Sequence, residues 1–175
     1  MAGKRKNSRL SWDEYFLQIS DLVSSRATCD RLHVGAILVR DKMIISTGYN
    51  GSPRGTDHCD EVGHRMVNGH CIRTVHAEIN AVIQAAYHGI STKDATLYTN
   101  FLPCEYCAKT LINAGVEKIV YRELYHNIDQ PYTRKLLRQA KVKVVLLLRK
   151  VLLWKSYAHS QNRSFLVTIF QKNFH

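Results

Sequence analysis

The sequence predicts an α/β protein, with a central mixed sheet of about five strands and helices on its faces. Two observations carry that prediction. Stretches of strand character alternate with stretches of helical periodicity over most of the 175 residues, and elements in that alternation bury their apolar sides against one shared sheet. The first two strand-like runs are separated only by Asp41 and Lys42. So short a connection joins antiparallel neighbours, which makes the sheet mixed rather than purely parallel.

The elements follow in order. "SWDE" at Ser11 predicts a helix start with Ser11 as N-cap and Glu14 reaching back to it. Tyr15, Phe16, Ile19, Leu22 and Val23 then form an apolar stripe at helical spacing. "VGAILVR" from Val34 and "MIISTGY" from Met43 are the two strands of the hairpin. The stretch "NGSPRGTDHCDEVGHRMVNGHCIR" is polar and rich in Gly and His. A loop of that length in a compact domain is functional or is tied down by something. A helix runs from about Val75 to His88, with Gly89 as its stop. "ATLYTN" is a strand, "PCEYCAKTLINAG" a helix closed by Gly115, and "EKIVYRE" a strand. "QPYTRKLLRQA" is a helix with Pro131 at its start, and "KVKVVLLL" the last strand. Residues 1–150 thus form one domain. From Val151 the pattern fails: residues 151–175 carry no acid and show no clear period. They form a basic C-terminal tail, which reads equally as a docking element, a solvated extension or read-through after a frameshift.

Composition narrows the function classes. The formal net charge is +11, which points to nucleic acid until its distribution is read. All 14 acids lie at or before Asp129, whereas ten of the 25 Lys and Arg lie after it. The main body is therefore nearly neutral, and nucleic acid is not the expected partner. No run approaches the ~20 apolar residues of a membrane span. The basic "MAGKRKNSRLSW" has no apolar segment behind it, so it is not a secretory signal and a cytoplasmic location is expected. In a reducing compartment the five cysteines, Cys29, Cys59, Cys71, Cys104 and Cys107, are better read as metal ligands or catalysts than as disulfides.

Two predicted helices begin with metal-binding side chains, one at "HAE" and the other at "PCEYC". The Cys-x2-Cys spacing lets two thiolates grip one ion from a single turn, and a catalytic zinc takes three protein ligands and keeps one position open. His76, Cys104 and Cys107 supply three. Helix N-termini favour thiolates through their partial positive charge. Glu78 lies two residues beyond His76 and is spare, so it serves as the proton carrier beside the ion. Each piece has an ordinary use alone: a first-turn His caps, a lone Cys-x2-Cys is structural or redox-active, a Glu answers the helix dipole. The combination, with 28 residues between His76 and Cys104, is the H-x-E…P-C-x-x-C pattern of zinc nucleobase deaminases.

On these residues the chain resembles a family. "STGYNGSPRG", "HCIRTVHAEINA", "LYTNFLPCEYCAKTLINAG" and "EKIVY" are similar to segments of deoxycytidylate (dCMP) deaminases of the cytidine deaminase superfamily, in particular the bacterial and phage type that includes competence-operon deaminases. The resemblance runs from about Leu10 to Leu148. It implies a three-layer α/β/α cytidine-deaminase-like fold. It implies zinc-dependent hydrolytic deamination of dCMP to dUMP and ammonia, feeding thymidylate synthesis. It also implies a homo-oligomer, commonly a hexamer, activated by dCTP with Mg2+ and inhibited by dTTP.

Carried over residue by residue, the family's zinc ligands fall on His76, Cys104 and Cys107, and its proton-shuttling glutamate on Glu78. An asparagine in the place of Asn50 contacts the sugar or base of the substrate; the alternative for Asn50 is a turn residue beside Gly51. Ala77 offers its backbone to the base. Tyr49, Asn50 and Gly51 fall where family members place effector contacts. Some phage-type relatives hold a second, structural zinc. Cys29 and Cys59 match its first two ligands, and Cys71 with His64 completes a tetrahedral set, with His70 as the alternative to His64. The alternative to that metal is a set of small buried residues without one. A monophosphate needs a cationic partner, for which Arg26, Arg54 and Arg73 stand unranked. Two other readings remain open at this point: another superfamily deaminase acting on cytidine or tRNA adenosine, and a non-catalytic zinc-stabilised module that binds nucleic acid.

Overall fold

The computed structural model describes residues 9–125 and 130–148; the predicted tail lies outside them. A five-stranded sheet is built from β1 (Gly35–Arg40), β2 (Met43–Tyr49), β5 (Thr96–Phe101), β6 (Lys118–Glu123) and β7 (Lys143–Leu146) in the order β2-β1-β5-β6-β7. β1 is antiparallel to both β2 and β5, while β5, β6 and β7 run parallel. The predicted mixed sheet is therefore present. Its hairpin turns on Asp41 and Lys42, both at positive φ (51° and 62°), the turn geometry that matches the right-handed twist of two paired strands.

Alternation along β1 divides the core between two faces. Ile37 and Val39 pack with Phe16, Leu17, Tyr98 and Val120 under α1 (Trp12–Ser24). Ala36 and Leu38 point the other way, to Ala77, Ala81, Leu97, Ala108, Leu111, Ile119 and Leu137. That second face is covered by α3 (Ala77–Tyr87), α4 (Glu105–Asn113) and α5 (Gln130–Gln139), which completes the three layers.

One detail of α1 departs from expectation. Ser11 does cap the helix, accepting from the Glu14 amide at 3.2 Å. The reciprocal arm is not the role of Glu14, whose carboxylate receives Arg122 Nη2 at 3.2 Å. Arg122, only 3% exposed on β6, also donates through Nε to Asp21 at 3.0 Å. Asn100 donates to Asp21 and accepts from the Gly35 amide, each at 2.6 Å. A buried charge needs such partners, and long-range pairing therefore took Glu14 from the local motif.

α3 lies unusually close to β2, because Gly48 has no side chain. A Cβ there would sit within contact of Ala77 O and Ala81 N and 2.9 Å from Asn80 C. Ser46 Oγ donates to Ala81 O at 2.6 Å and Asn80 Nδ2 to Tyr49 O at 2.8 Å across the same junction. The long polar loop holds a one-turn helix, α2 (Cys59–Val62), and a small hairpin of β3 (Met66–Val67) and β4 (His70–Cys71). Among the described residues, no helix is long and apolar enough to cross a membrane.

Candidate metal centre and cavity

The carboxyl end of β5 lies beside the start of antiparallel β1 and the end of β2. Crevices of this kind, outside the carboxyl ends of strands, are where open α/β sheets place their sites. Here α3 and α4 begin. His76 is the N-cap of α3 and Cys104 that of α4; both have extended backbone, and neither side chain makes a capping hydrogen bond. Both side chains are thus left to other work. Cys107 stands one turn into α4, fully buried. His76 Nδ1 lies 3.5 Å from Cys104 Sγ and 3.3 Å from Cys107 Sγ.

These spacings fit a tetrahedral cation. With zinc–nitrogen and zinc–sulfur bonds of about 2.0 and 2.3 Å, the nitrogen–sulfur edge of a tetrahedron is about 3.5 Å. The donor types, one imidazole and two thiols all within 4.8 Å of one another, fit it as well. The electrostatics also suit a cation. The hydrogen bond from Cys107 and, against the effect of burial, the one from His76 pull the Cys104 thiol down to about 4. The bond to Cys104 and the charge of Glu78 hold His76 up at about 9 despite burial. A dication held there would find Cys104 favouring its thiolate and would be bound by His76 as the neutral imidazole.

Glu78 is 5% exposed and stands outside the three-donor set. Burial pushes its carboxyl upward, against the opposing charge of His76. Its side chain lines a cavity of about 450 Å³ together with His76, Ala77, Cys104 and Asn50. The rest of the lining includes Arg31, Phe101, Tyr106, Tyr125 and the β3–β4 hairpin.

The structure sorts the other sequence-predicted residues. Asn50 reaches the cavity, but its amide also bridges two backbone groups: Nδ2 donates to Leu32 O and Oδ1 accepts from the Val34 amide, each at 2.8 Å. Tyr49 and Gly51 lie outside the cavity lining; Gly51 pairs with Val75 in an isolated bridge. Arg26, Arg54 and Arg73 are outside it too. Arg54 donates to Gln84 at 3.1 Å and stacks over Tyr87 at 4.8 Å. Arg73 donates to Gly63 O at 3.1 Å. Among the described residues, the arginine at the cavity is Arg31, whose guanidinium meets Met66 Sδ at 2.6 Å and Gly69 O at 3.3 Å. Nothing in periodicity or motif marks Arg31, since its place depends on how the loop after α1 folds across the hairpin.

A second donor cluster forms beside the cavity. Cys29, Cys59, His64 and Cys71 bring their donor atoms within 4.8 Å of one another; His70 is not part of the group. Cys29 Sγ lies 3.8 Å from His64 Nδ1 and Cys59 Sγ 3.6 Å from Cys71 Sγ, again near the edges of a zinc tetrahedron, about 3.5 to 3.8 Å. Asp30 holds His64 Nε2 at 3.0 Å, which directs Nδ1 to the cluster as a carboxylate behind a metal-bound histidine does. Burial and the hydrogen bond to Cys71 push the Cys59 thiol to about 12. Cys71 is brought to about 7: burial acts against the change, and a backbone bond from Arg73 and the His64 contact outweigh it.

A family profile described as the cytidine and deoxycytidylate deaminase zinc-binding region matches residues 10–123. The chain belongs to that family. Membership makes it an enzyme of the deaminase class rather than a non-catalytic module. It is 45% identical over 136 residues to ComE operon protein 2 of Bacillus subtilis, covering 78% of this chain and 71% of the relative. It is 33% identical over 142 residues to the deoxycytidylate deaminase of Saccharomyces cerevisiae, covering 78% of this chain and 45% of that longer protein. A solved structure of the dCMP deaminase of cyanophage S-TIM5, in complex with dCMP and dUMP, superposes with a TM-score of 0.67 at 31% identity, over 77% of this chain and 95% of that one.

Proposed function

We propose that this chain hydrolyses dCMP to dUMP and ammonia. The observation that carries the reading is Glu78, a buried carboxyl that lines the same cavity as His76 and Cys104 and stands outside the three-donor set. His76, Cys104 and Cys107 hold a zinc ion in this reading. When bound, the ion acts as a Lewis acid that makes water a nucleophile near neutral pH. Glu78 does the proton work. Its carboxylate takes a proton from the attacking water and gives it to the ring nitrogen beside the amine-bearing carbon. It then takes the second water proton to the departing amine, which leaves as ammonia. Burial of Glu78 favours its neutral form and so helps it hold each proton until delivery. Ala77 offers its backbone to the base and Asn50 its remaining hydrogen-bonding capacity to the sugar. Arg31 takes the 5′-phosphate, because it is the arginine at the cavity and guanidinium matches phosphate geometry. The deoxycytidylate deaminase relatives and the dCMP-bound neighbour support this substrate.

The finer parts of the reading belong here as well. Cys29, Cys59, His64 and Cys71 hold a second, structural zinc, which gives the polar loop the cohesion its small apolar content does not supply. The enzyme works in the cytoplasm as a homo-oligomer, of hexameric type, and supplies dUMP to thymidylate synthesis. dCTP with Mg2+ activates it and dTTP inhibits it, through contacts near Tyr49, Asn50 and Gly51. The decisive experiment is Glu78→Gln. The variant should fold and keep its zinc while ammonia release from dCMP falls by about 10³-fold or more, within the range for loss of a general acid–base group. Wild-type turnover in the variant, or no turnover of dCMP by the unmodified chain with or without dCTP, overturns the proposal.

A further inference from the structure

The four donors of the second cluster come from three segments: Cys29 from the loop after α1, Cys59 and His64 from α2 and the turn after it, and Cys71 from β4. Cys29 and Cys71 also line the substrate cavity, as does the stretch from Val67 to Ile72. That stretch belongs to a hairpin with two residues in each strand, separate from the main sheet, and an isolated two-stranded ribbon is marginal in water. Among the described residues, its side-chain hydrogen bonds to the 29–34 loop, besides the cluster, are the exposed contacts of Arg31 with Met66 and Gly69. The cluster thus fastens two segments of the cavity lining, the loop after α1 and the hairpin, to each other.

We propose that this cluster is a thiol-oxidation switch on the substrate cavity, in which hydrogen peroxide joins Cys59 to Cys71 and the bound cation leaves. The inference rests on the cation reading of the cluster and on the deaminase reading of the cavity. The Cys59 and Cys71 sulfurs already stand 3.6 Å apart, so a disulfide of about 2.0 Å asks for an approach of roughly 1.5 Å. Cys71 is half-buried and opens to the cavity, whereas Cys59 is buried, so the peroxide meets Cys71 first. The Cys71 sulfur takes one oxygen as the O–O bond breaks, forming a sulfenic acid and one water. The Cys59 sulfur then attacks that sulfur, the S–S bond forms, and the second water leaves. Two thiols lose two electrons and the peroxide gains them. Protons that the thiolates lack while they hold a cation come from solvent. A cation ties three segments together, whereas the disulfide ties only α2 to β4. The loop carrying Cys29 and Arg31 loses its metal tie to the hairpin and keeps only exposed contacts there, so the spacing between these two parts of the cavity lining is loosened.

The test uses the full chain, reduced and zinc-loaded, titrated with hydrogen peroxide. Released zinc is read with a chromogenic chelator, the disulfide by peptide mass spectrometry, and the two lining segments by hydrogen exchange over residues 29–34 and 66–72. KM and kcat are measured for dCMP. The expected result is about one zinc released per chain, a Cys59–Cys71 disulfide, faster exchange in both segments, and a KM raised about tenfold with kcat within about twofold, a coupling of ordinary size. Dithiothreitol with zinc should reverse all four. A Cys104–Cys107 disulfide forming first, a Cys59–Cys71 disulfide without zinc release, or that disulfide with unchanged exchange overturns the switch. If the reduced chain releases no ammonia from dCMP, the deaminase reading fails separately, while zinc release, disulfide position and exchange still decide the switch.

Discussion

Replacing Gly48 by alanine tests whether the spacing between β2 and α3 sets the catalytic geometry. The added Cβ would fall within contact of Ala77 O and Ala81 N and 2.9 Å from Asn80 C, whereas ordinary van der Waals contact begins near 3.4 Å. All three obstacles are helix backbone, so no flexible side chain can turn aside. The start of α3 must retreat by about 1 Å, a strain of about 2–3 kcal/mol on the scale of overpacked cores. The same turn carries His76 and Glu78. A displacement of about 1 Å in a positioned catalytic group costs about 10²-fold in rate. We expect Gly48→Ala to lower the urea midpoint by about 1–2 M and kcat by about 10²-fold. Urea denaturation followed by far-UV circular dichroism and an ammonia-release assay on dCMP read the two effects. Gly35→Ala is the control, because its Cβ would meet Ser20 and Ser24 of α1 on the opposite face. It should lose similar stability with at least about tenfold less effect on kcat. A folded Gly48→Ala protein with unchanged kcat refutes the view that this close approach positions Glu78.

Three further outcomes follow. Burial pushes the Asp13 carboxyl up, but hydrogen bonds from Tyr98 and Lys118 outweigh it and leave it below its ordinary value of 3.8. A depressed folded value stabilises above the unfolded one and is lost as pH falls through the folded one. The stability difference between the unmodified chain and Asp13→Asn should therefore be constant from about pH 7 to 5 and shrink below about pH 4; a difference that grows in acid contradicts the assignment. Arg31→Ala should raise KM for dCMP by about tenfold or more and leave turnover of deoxycytidine unchanged, as steady-state kinetics on the two substrates will show. Elemental analysis should find two zinc ions per unmodified chain and one in Cys29→Ser, with a lower melting temperature; one zinc in both, at equal stability, removes the second site.

Much of the fold was legible because periodicity is local. The hairpin at Asp41-Lys42, the helix stops at Gly89 and Gly115 and the alternation of strand and helix are written in neighbouring residues, and the structure keeps them. The role of Glu14 was not legible in the same way. Its motif predicts a local cap, but Arg122 lies 108 residues away in sequence, and a buried guanidinium outweighs a solvated capping bond. The loop of residues 50–73 gave few signals of its own, since strands of two residues carry no period. The arginine at the cavity was invisible for a related reason: Arg26, Arg31, Arg54 and Arg73 are chemically alike, and only the folded loop separates them.

The sequence by itself determined the chemistry of the site. A histidine and two cysteines at helix starts, with an acid two residues past the histidine, allow few uses, because ligand type and helix-terminal spacing already restrict the ion and its reaction. Only the tertiary structure decided what stands around those residues. It selected His64 over His70 to join Cys29, Cys59 and Cys71, and it set Arg31 at the cavity. It also drew β2 against α3 through the absent side chain of Gly48. The physical reason is one of range: backbone propensity and ligand chemistry act between neighbours in the chain, whereas cavity walls are made by packing between segments that the chain keeps far apart.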